Sequence, residues 1–200
     1  MDRYDLNTGN AVFVIIDLQT NLAAAMKKDV FRTVESNVNL LIKSCEILRV
    51  PVLITEQYRK GLGYTVDSIA RSLGAMYKPT GKQVFSALGQ PEFRQALEDS
   101  GRRCVMLCGI EAHVCVLQTA LELLAGGYAV HVIADAVCSR YKSDWEAAMD
   151  YLRQAGCVIT TTEIAVFQLL RQAGTPEFKD ISPLFRDKEA YWSAGDSGRL

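Results

Sequence analysis

Cys115 lies in a stretch whose surroundings suit a reactive thiol. The apolar segment 104–108 before it is typical of a buried strand, and residues 117–125 after it carry apolar side chains at helical spacing. Cys115 is therefore predicted near the amino end of a helix, where unpaired N–H groups and the helix dipole favour a thiolate. Such a position lowers a thiol pKa from about 8.5 towards neutrality. The alternative, a small buried cysteine that packs the helix onto a sheet, is equally open at this point.

Acidic residues follow three other predicted strands. Asp17 ends the apolar run 11–16, Glu56 follows the run 51–55, and Asp135 comes shortly after a further apolar segment. Ligands of open α/β sheets bind beyond the carboxyl ends of the strands, so these acids are well placed for function. A turn or capping aspartate is the structural alternative for Asp17.

Two lysines, Lys78 and Lys82, lie near turn residues in segment 74–90, the least regular part of the chain. On local grounds each is most simply a solvated charge. The usual motifs of other chemistries are missing: no G-x-G-x-x-G, P-loop, G-x-S-x-G or H-E-x-x-H pattern occurs. We therefore expect no cofactor and no metal, and a thiol with an acid and a lysine remains.

These three groups form a coherent set for acyl-type hydrolysis. An aspartate can take the proton of a thiol and return it to a leaving group. A nearby lysine holds the aspartate ionised and favours the thiolate. Backbone N–H groups beside Cys115 can receive the oxyanion of a tetrahedral intermediate. Together they describe hydrolysis through a thioester.

Strand and helix patterns alternate along the whole chain, which predicts an α/β fold with a parallel sheet between two helical layers. A capping-box pattern, Ser143 to Glu146, is expected to open a helix that Gly156 closes. The apolar runs predict strands over 11–16, 51–55, 104–108, 128–133 and 157–160. The helical patterns cover 32–48, 65–71, 91–100, 117–125, 143–155, 161–173 and 176–186.

The composition limits the class of protein. Two hundred residues suit a single domain, here 1–200 with its core over about 10–185 and a disordered tail at 193–200. A formal net charge of −1 argues against a nucleic-acid or membrane-surface binder. Six cysteines without C-x-x-C pairs, together with a polar start, indicate a cytoplasmic protein with free thiols.

Three segments in order give the chain its resemblance to the isochorismatase-like cysteine hydrolases: Val14–Gln19, Lys82–Ser86 and Gly109–Val116. The resemblance implies a six-stranded parallel sheet in Rossmann-like order. It also implies that Asp17, Lys82 and Cys115 are catalytic, with Lys82 chosen over Lys78 because it precedes the Phe-Ser pair.

The same resemblance implies a cis peptide between Ile110 and Glu111, and an oxyanion hole formed by the N–H groups of Glu111 and Cys115. A metal-binding histidine set found in nicotinamidases has no counterpart between residues 20 and 58, which disfavours nicotinamide as substrate. His113 stands where several relatives have an aspartate and is expected to cap or pack the turn. The predicted pocket residues are Gln19, Glu56, Tyr58 and Phe85, with a structural hydrogen bond as the alternative for Glu56.

The sequence therefore predicts a hydrolase that cleaves an amide-like C–N bond of a small molecule and works as a homo-oligomer. Vinyl ether hydrolysis is a second hypothesis, and a non-catalytic oligomeric protein that keeps the fold is a third. Thiol-redox chemistry is weaker, because no C-x-x-C pair is present. The sequence does not name the substrate.

Overall fold

A six-stranded, all-parallel sheet with helices packed against it forms the centre of the computed structural model, which describes residues 3–186. The strand order is β3-β2-β1-β4-β5-β6, so the predicted fold class and Rossmann-like order are confirmed. The disordered tail predicted for 193–200 lies outside the described residues. The strands are β1 Ala11–Ile16, β2 Val52–Gln57, β3 Thr80–Lys82, β4 Cys104–Ile110, β5 Ala129–Cys138 and β6 Val158–Thr160.

The longer helices each bury apolar side chains against the sheet or a neighbouring helix, while the short α1 and α3 bury none. The longest, α2, turns Val34, Val38, Leu41, Ile42 and Cys45 into the core. The helices are α1 Thr20–Ala24, α2 Lys28–Leu48, α3 Arg59–Leu62, α4 Asp67–Leu73, α5 Pro91–Asp99, α6 Leu117–Ala125, α7 Lys142–Ala155, α8 Thr162–Leu170 and α9 Pro176–Arg186. Among the described residues, no helix is both long and apolar enough to cross a membrane.

The two central strands, β1 and β4, meet where the strand order reverses, which is the usual ligand position of this architecture. They pair from Ala11 opposite Cys104 to Ile16 opposite Gly109. Gly109 has φ 122°, and a Cβ at this position would lie 2.0 Å from the carbonyl oxygen of Ile16. Only glycine fits there, so the carboxyl ends of β1 and β4 lie in close contact.

Several local predictions differ from the structure. Strand β3 was not predicted, because three residues that include a glycine carry no periodic signal. Strand β5 continues to Cys138 instead of ending at residue 133, through a register shift that places Val137 opposite Gly109. The capping box is not formed: Tyr141 occupies the N-cap position of α7 and makes no side-chain capping bond. Helix α8 ends at Leu170 and not at residue 173.

Candidate active site

Asp17, Lys82 and Cys115 converge at the carboxyl edge of the sheet. Asp17 follows β1, Lys82 ends β3, and Cys115 lies in a π-helical turn, Ala112–Val116, between β4 and α6. The Lys82 Nζ donates to Asp17 Oδ2 at 2.6 Å, and both side chains are fully buried. The Cys115 thiol is within hydrogen-bonding reach of both side chains and is itself only 6% exposed.

The backbone of Asp17 adopts a conformation that few L residues take. Its φ is 49°, in the left-handed region, where short polar side chains such as aspartate are tolerated best. Such conformations persist where the surrounding structure determines them, and they cluster at functional sites. The Asp17 N–H donates to the Thr55 carbonyl at 3.3 Å, and the Thr55 hydroxyl donates to Asp17 Oδ1 at 2.7 Å.

Lys82 is held by four acceptors. Besides Asp17, its Nζ donates to Gln57 Oε1 at 3.1 Å, to the Phe85 carbonyl at 3.0 Å and to the Val84 carbonyl at 3.3 Å. These oxygens compensate the buried ammonium, so a charged lysine is tolerated in the interior.

Burial raises the pKa of the Asp17 carboxyl above its ordinary value. The charge of Lys82 and hydrogen bonds from Lys82, Thr55 and Cys115 lower this pKa, but they do not outweigh burial. A carboxylate in this state is a better base than one in water, and it lies beside the thiol.

The thiol does not have the lowered pKa that its place at a helix start predicts. Burial, followed by the negative charge of Asp17, raises the pKa of Cys115 to about 12, and Lys82 offsets only part of this rise. The prediction was wrong because it counted the helix dipole and left out desolvation. The resting side chain is therefore a thiol, whose proton must leave as the sulfur reacts.

The turn that carries Cys115 is held by contacts with the segment that follows β5. The peptide bond between Ile110 and Glu111 is cis. The Glu111 carboxylate accepts from the backbone N–H and the Nε of Arg140, at 3.0 and 3.1 Å. The His113 Nδ1 lies 2.9 Å from the Ser139 hydroxyl oxygen.

Of the four predicted pocket residues, two are fully buried and held by hydrogen bonds within the protein. Gln19 is fully buried: its side chain accepts from the Gln57 N–H at 2.6 Å and donates to the carbonyls of Gln57 and Gly63. Glu56 is also fully buried and holds the structural hydrogen bonds that were the alternative. Tyr58 and Phe85 are about half exposed at the same edge.

Asp17, Lys82 and Cys115 together are called the centre below. The Glu56 side chain points away from this centre, because side chains alternate along β2. Its Oε1 accepts from the N–H and hydroxyl of Thr65, at 2.8 and 2.7 Å, and from the Tyr77 hydroxyl at 2.7 Å. Arg59 donates to the other oxygen. Burial acts to raise the pKa of Glu56, but these hydrogen bonds outweigh it and hold the pKa below its ordinary value.

Asp135, the third acid predicted near a strand end, binds the start of a helix. It lies within β5, and its carboxylate accepts from the N–H and hydroxyl of Thr162 at 2.7 and 2.9 Å. It therefore holds the first turn of α8. Within residues 3–186, no three His, Cys, Asp or Glu side chains are grouped as a metal site requires.

Thr55 and Gln57 were missed by the sequence reasoning, although both contact the centre. They precede and follow Glu56 on β2, so a strand period of two places them on the face that Glu56 does not occupy.

Thr119 was missed as well: its hydroxyl accepts from the Ala87 N–H at 3.0 Å and ties the segment after β3 to α6. A cleft of about 630 Å³ next to β3 is lined by Lys82 and by two of the predicted pocket residues, Glu56 and Tyr58, but by neither Asp17 nor Cys115.

Comparison with known proteins shows the family to which the chain belongs. The sequence model of the isochorismatase domain matches residues 11–164. The chain belongs to the isochorismatase family of hydrolases. It is 42% identical to the secreted isochorismatase effector Isc1 of Phytophthora sojae, over 83% of this chain and 80% of that protein. It is 40% identical to isochorismatase domain-containing protein 2 of Danio rerio, over 90% of this chain and 88% of that protein.

Solved structures share the fold of this chain. The MAR1 ribonuclease of Caenorhabditis elegans is 36% identical with a TM-score of 0.83, over 97% of this chain and 96% of that one. The Escherichia coli YcaC protein, described as an octameric hydrolase of unknown specificity, has a TM-score of 0.84 at 21% identity. The match covers 91% of this chain and 89% of YcaC, and it shows the fold alone.

Proposed function

We propose that this chain is a cysteine hydrolase that cleaves an amide-like C–N bond of a small molecule through a thioester at Cys115. The observation that carries the proposal is the convergence of a buried thiol, a buried carboxylate and a buried ammonium in one contact group. Asp17, Lys82 and Cys115 are the catalytic residues of the proposal, in agreement with the family resemblance of the sequence.

In the first half-reaction the sulfur of Cys115 attacks the carbonyl carbon while Asp17 accepts the thiol proton. The C–S bond forms, and the oxyanion is received by the N–H groups of Glu111 and Cys115 at the start of the helix, where intrahelical partners are missing. Asp17 then gives the proton to the leaving nitrogen, the C–N bond breaks, and an amine or ammonia departs.

In the second half-reaction water attacks the thioester carbon, and Asp17 accepts one of its protons. The C–S bond breaks, the sulfur takes the proton back from Asp17, and the acid product leaves. The raised pKa of Asp17 suits both roles, because a group that alternately takes and gives a proton works best with a pKa near the working pH. Lys82 holds Asp17 in place and balances its charge.

Vinyl ether hydrolysis is the second candidate, and the raised pKa of Asp17 is the observation that favours it. That reaction begins with protonation of a carbon atom, for which a buried carboxylic acid is a suitable donor. It does not need the thiol, so replacement of Cys115 separates the two candidates.

The proposal includes a cytoplasmic location and a homo-oligomeric state. All six cysteines are free and buried, which is consistent with a reducing cytoplasm. Half-exposed aromatic side chains at the site, Tyr58 and Phe85, suit contacts with a small-molecule substrate and with a second subunit of a homo-oligomer. A non-catalytic role has no support from the site, because each member of the Asp17, Lys82 and Cys115 group is present.

The experiment is a screen of small primary and secondary amides for release of ammonia or amine, with Cys115→Ala and Cys157→Ala as a matched pair. Both cysteines are buried thiols whose pKa is raised to about 12, but only Cys115 contacts Asp17 and Lys82. We expect turnover to be lost in Cys115→Ala and kept in Cys157→Ala, and the intact mass of trapped enzyme to show an acyl group on Cys115. Equal turnover by Cys115→Ala rules out the thioester.

The same screen includes vinyl ethers and a single-stranded RNA, because one structural relative carries the name ribonuclease. Vinyl ether cleavage that persists in Cys115→Ala identifies the second candidate. RNA cleavage is not expected, since the formal net charge of −1 provides no excess of basic groups for a polyanion.

A further inference from the structure

Thr55 makes two contacts with Asp17 that together fix both the backbone and the side chain of that residue. Its carbonyl accepts the Asp17 N–H at 3.3 Å, and its hydroxyl donates to Asp17 Oδ1 at 2.7 Å. Thr55 is fully buried near the end of β2, the strand that separates β1 from β3. It therefore lies between the strand that Asp17 ends and the strand that carries Lys82.

The two carboxylate oxygens of Asp17 have different partners because of this contact. Oδ1 faces the Thr55 hydroxyl, and Oδ2 faces the Lys82 ammonium at 2.6 Å. The charged and titratable groups that face Asp17 are Lys82 from β3 and Cys115 from the π-helical turn. Thr55 is thus a donor to this carboxylate that neither carries a charge nor takes part in the proposed proton transfer.

We propose that Thr55 is a positioning residue that fixes the orientation and the ionisation of Asp17, and thereby the pH at which Cys115 reacts. The proposal rests on the proposed function, because it requires Asp17 to accept the proton of the thiol. It goes beyond that function because it assigns control of the Asp17 carboxylate to Thr55, a residue outside the proposed catalytic group.

The physical argument concerns a hydrogen bond that favours one protonation state. A hydroxyl that donates to a carboxylate stabilises the ionised form and lowers the pKa of that group. If the donor is removed from a buried site, no water replaces it, and the neutral form gains by the strength of the lost bond. Loss of the Thr55 hydroxyl therefore moves the ionisation of Asp17 to higher pH.

The test measures the second-order rate constant for alkylation of Cys115 by iodoacetamide as a function of pH, followed on the Cys115 peptide by mass spectrometry. In the wild type the rate rises through an inflection where Asp17 ionises. In Thr55→Val, which keeps the shape and removes the hydroxyl, we expect this inflection to move up by about one pH unit. In Thr55→Ser, which keeps a hydroxyl, it should stay close to the wild-type position.

A matched control is Thr80→Val, because Thr80 lies opposite Thr55 in the register of the neighbouring strand and no side-chain hydrogen bond is found for it among residues 3–186. Its profile should coincide with the wild type. If Thr55→Val does not fold, Thr55→Ala makes the same test without the bulk of two methyl groups.

An inflection at the same pH in wild type and Thr55→Val, or a shift in Thr80→Val as large as in Thr55→Val, overturns the role of Thr55. Asp17→Asn separates this failure from failure of the proposed function. If the inflection persists in Asp17→Asn, Asp17 is not the proton acceptor, and both proposals fall. If it vanishes in Asp17→Asn but does not move in Thr55→Val, only the inference about Thr55 falls.

Discussion

Two carboxylates, Asp17 and Glu56, are completely buried near the carboxyl ends of neighbouring strands, yet their pKa values move in opposite directions. Glu56 receives four hydrogen bonds, which outweigh burial and lower its pKa. Asp17 lies deeper in the protein and receives fewer, so burial prevails and its pKa rises. The balance between depth of burial and hydrogen bonds received separates a carboxylate that holds the fold from one that can exchange a proton.

The largest expected effect comes from Asp17→Asn, which keeps the shape of the side chain but cannot accept a proton. We expect the rate of turnover per folded molecule to fall by about 10²–10⁴-fold, the usual contribution of a positioned acid-base group. The free energy of unfolding should fall as well, because Lys82 loses its counter-ion. Steady-state kinetics with circular dichroism melts on the same samples measure both, and an unchanged rate would contradict the role of Asp17.

Glu56→Gln is the matched change on the other face of β2, and here stability should change while the chemistry does not. Gln keeps the size but removes the charge that Arg59, Thr65 and Tyr77 surround, so we expect a loss of about 3 kcal/mol in unfolding free energy. Turnover per folded molecule should stay within a factor of about two, since Glu56 does not contact the centre. Denaturant titration measures the loss, with exposed Glu122→Gln in α6 as the control, because no side-chain hydrogen bond or ion pair is found for Glu122 in the described part of the chain.

The unfolding free energy lost in Glu56→Gln should depend on pH, and this dependence sharpens the comparison of Glu56 with Asp17. The pKa of Glu56 is lowered on folding, so the folded state holds fewer protons than the unfolded state below the ordinary value of 4.5. The stability that Glu56 contributes is complete above pH 4.5 and is lost as the pH falls through the folded-state pKa. The difference between wild type and Glu56→Gln should therefore be constant above pH 4.5 and shrink below it; a constant difference down to pH 3 would contradict this account.

Gln57→Leu removes one of the three neutral acceptors of Lys82 and should have a smaller effect. The variant loses the 3.1 Å contact from Lys82 Nζ and the 2.9 Å contact to the Gln83 carbonyl, while the charge pair with Asp17 remains. We expect turnover to fall about tenfold, the effect of one misplaced hydrogen bond. A fall as large as that of Asp17→Asn would show that Lys82 is held mainly by Gln57.

The smallest effect concerns His131, a buried base whose pKa is also set by the balance between burial and hydrogen bonding. Its Nε2 donates to the Arg3 carbonyl at 2.8 Å, while Nδ1 is buried without a partner in the described part of the chain. Burial lowers the pKa of His131, so the unfolded state binds the proton first and stability falls as the pH drops below about 6.5. The slope is at most about 1.4 kcal/mol per pH unit. His131→Gln should lack this slope in urea titrations between pH 5 and 7; an equal slope would assign it to another group.

The main features of the fold follow from the sequence, because the central strands are long apolar runs. The run before Asp17 and the run before Cys115 predict two neighbouring strand ends, and the structure places both residues there. Strand β3 has only three residues and no such signal. The placement of Lys82 therefore came from the resemblance of the segment Lys82–Ser86 and not from periodicity.

The side chains around Asp17 and Lys82 were harder to predict. The sequence at the end of a strand does not show which side chains face the site and which face away from it. Glu56 was chosen for its charge, whereas Thr55 and Gln57 on the alternate positions make the contacts. The pKa of Cys115 was missed for a related reason. The helix start is visible in the sequence, but the burial and the Asp17 charge that dominate come from distant parts of the chain.

The most direct test of the central claim is the rate constant for alkylation of Cys115 by iodoacetamide at pH 7, in wild type, Asp17→Asn and Glu56→Gln. If Asp17 takes the thiol proton, Asp17→Asn reacts at least about 100-fold more slowly than wild type, and Glu56→Gln reacts at the wild-type rate. Equal rates in wild type and Asp17→Asn, or equal losses in the two variants, would contradict the claim.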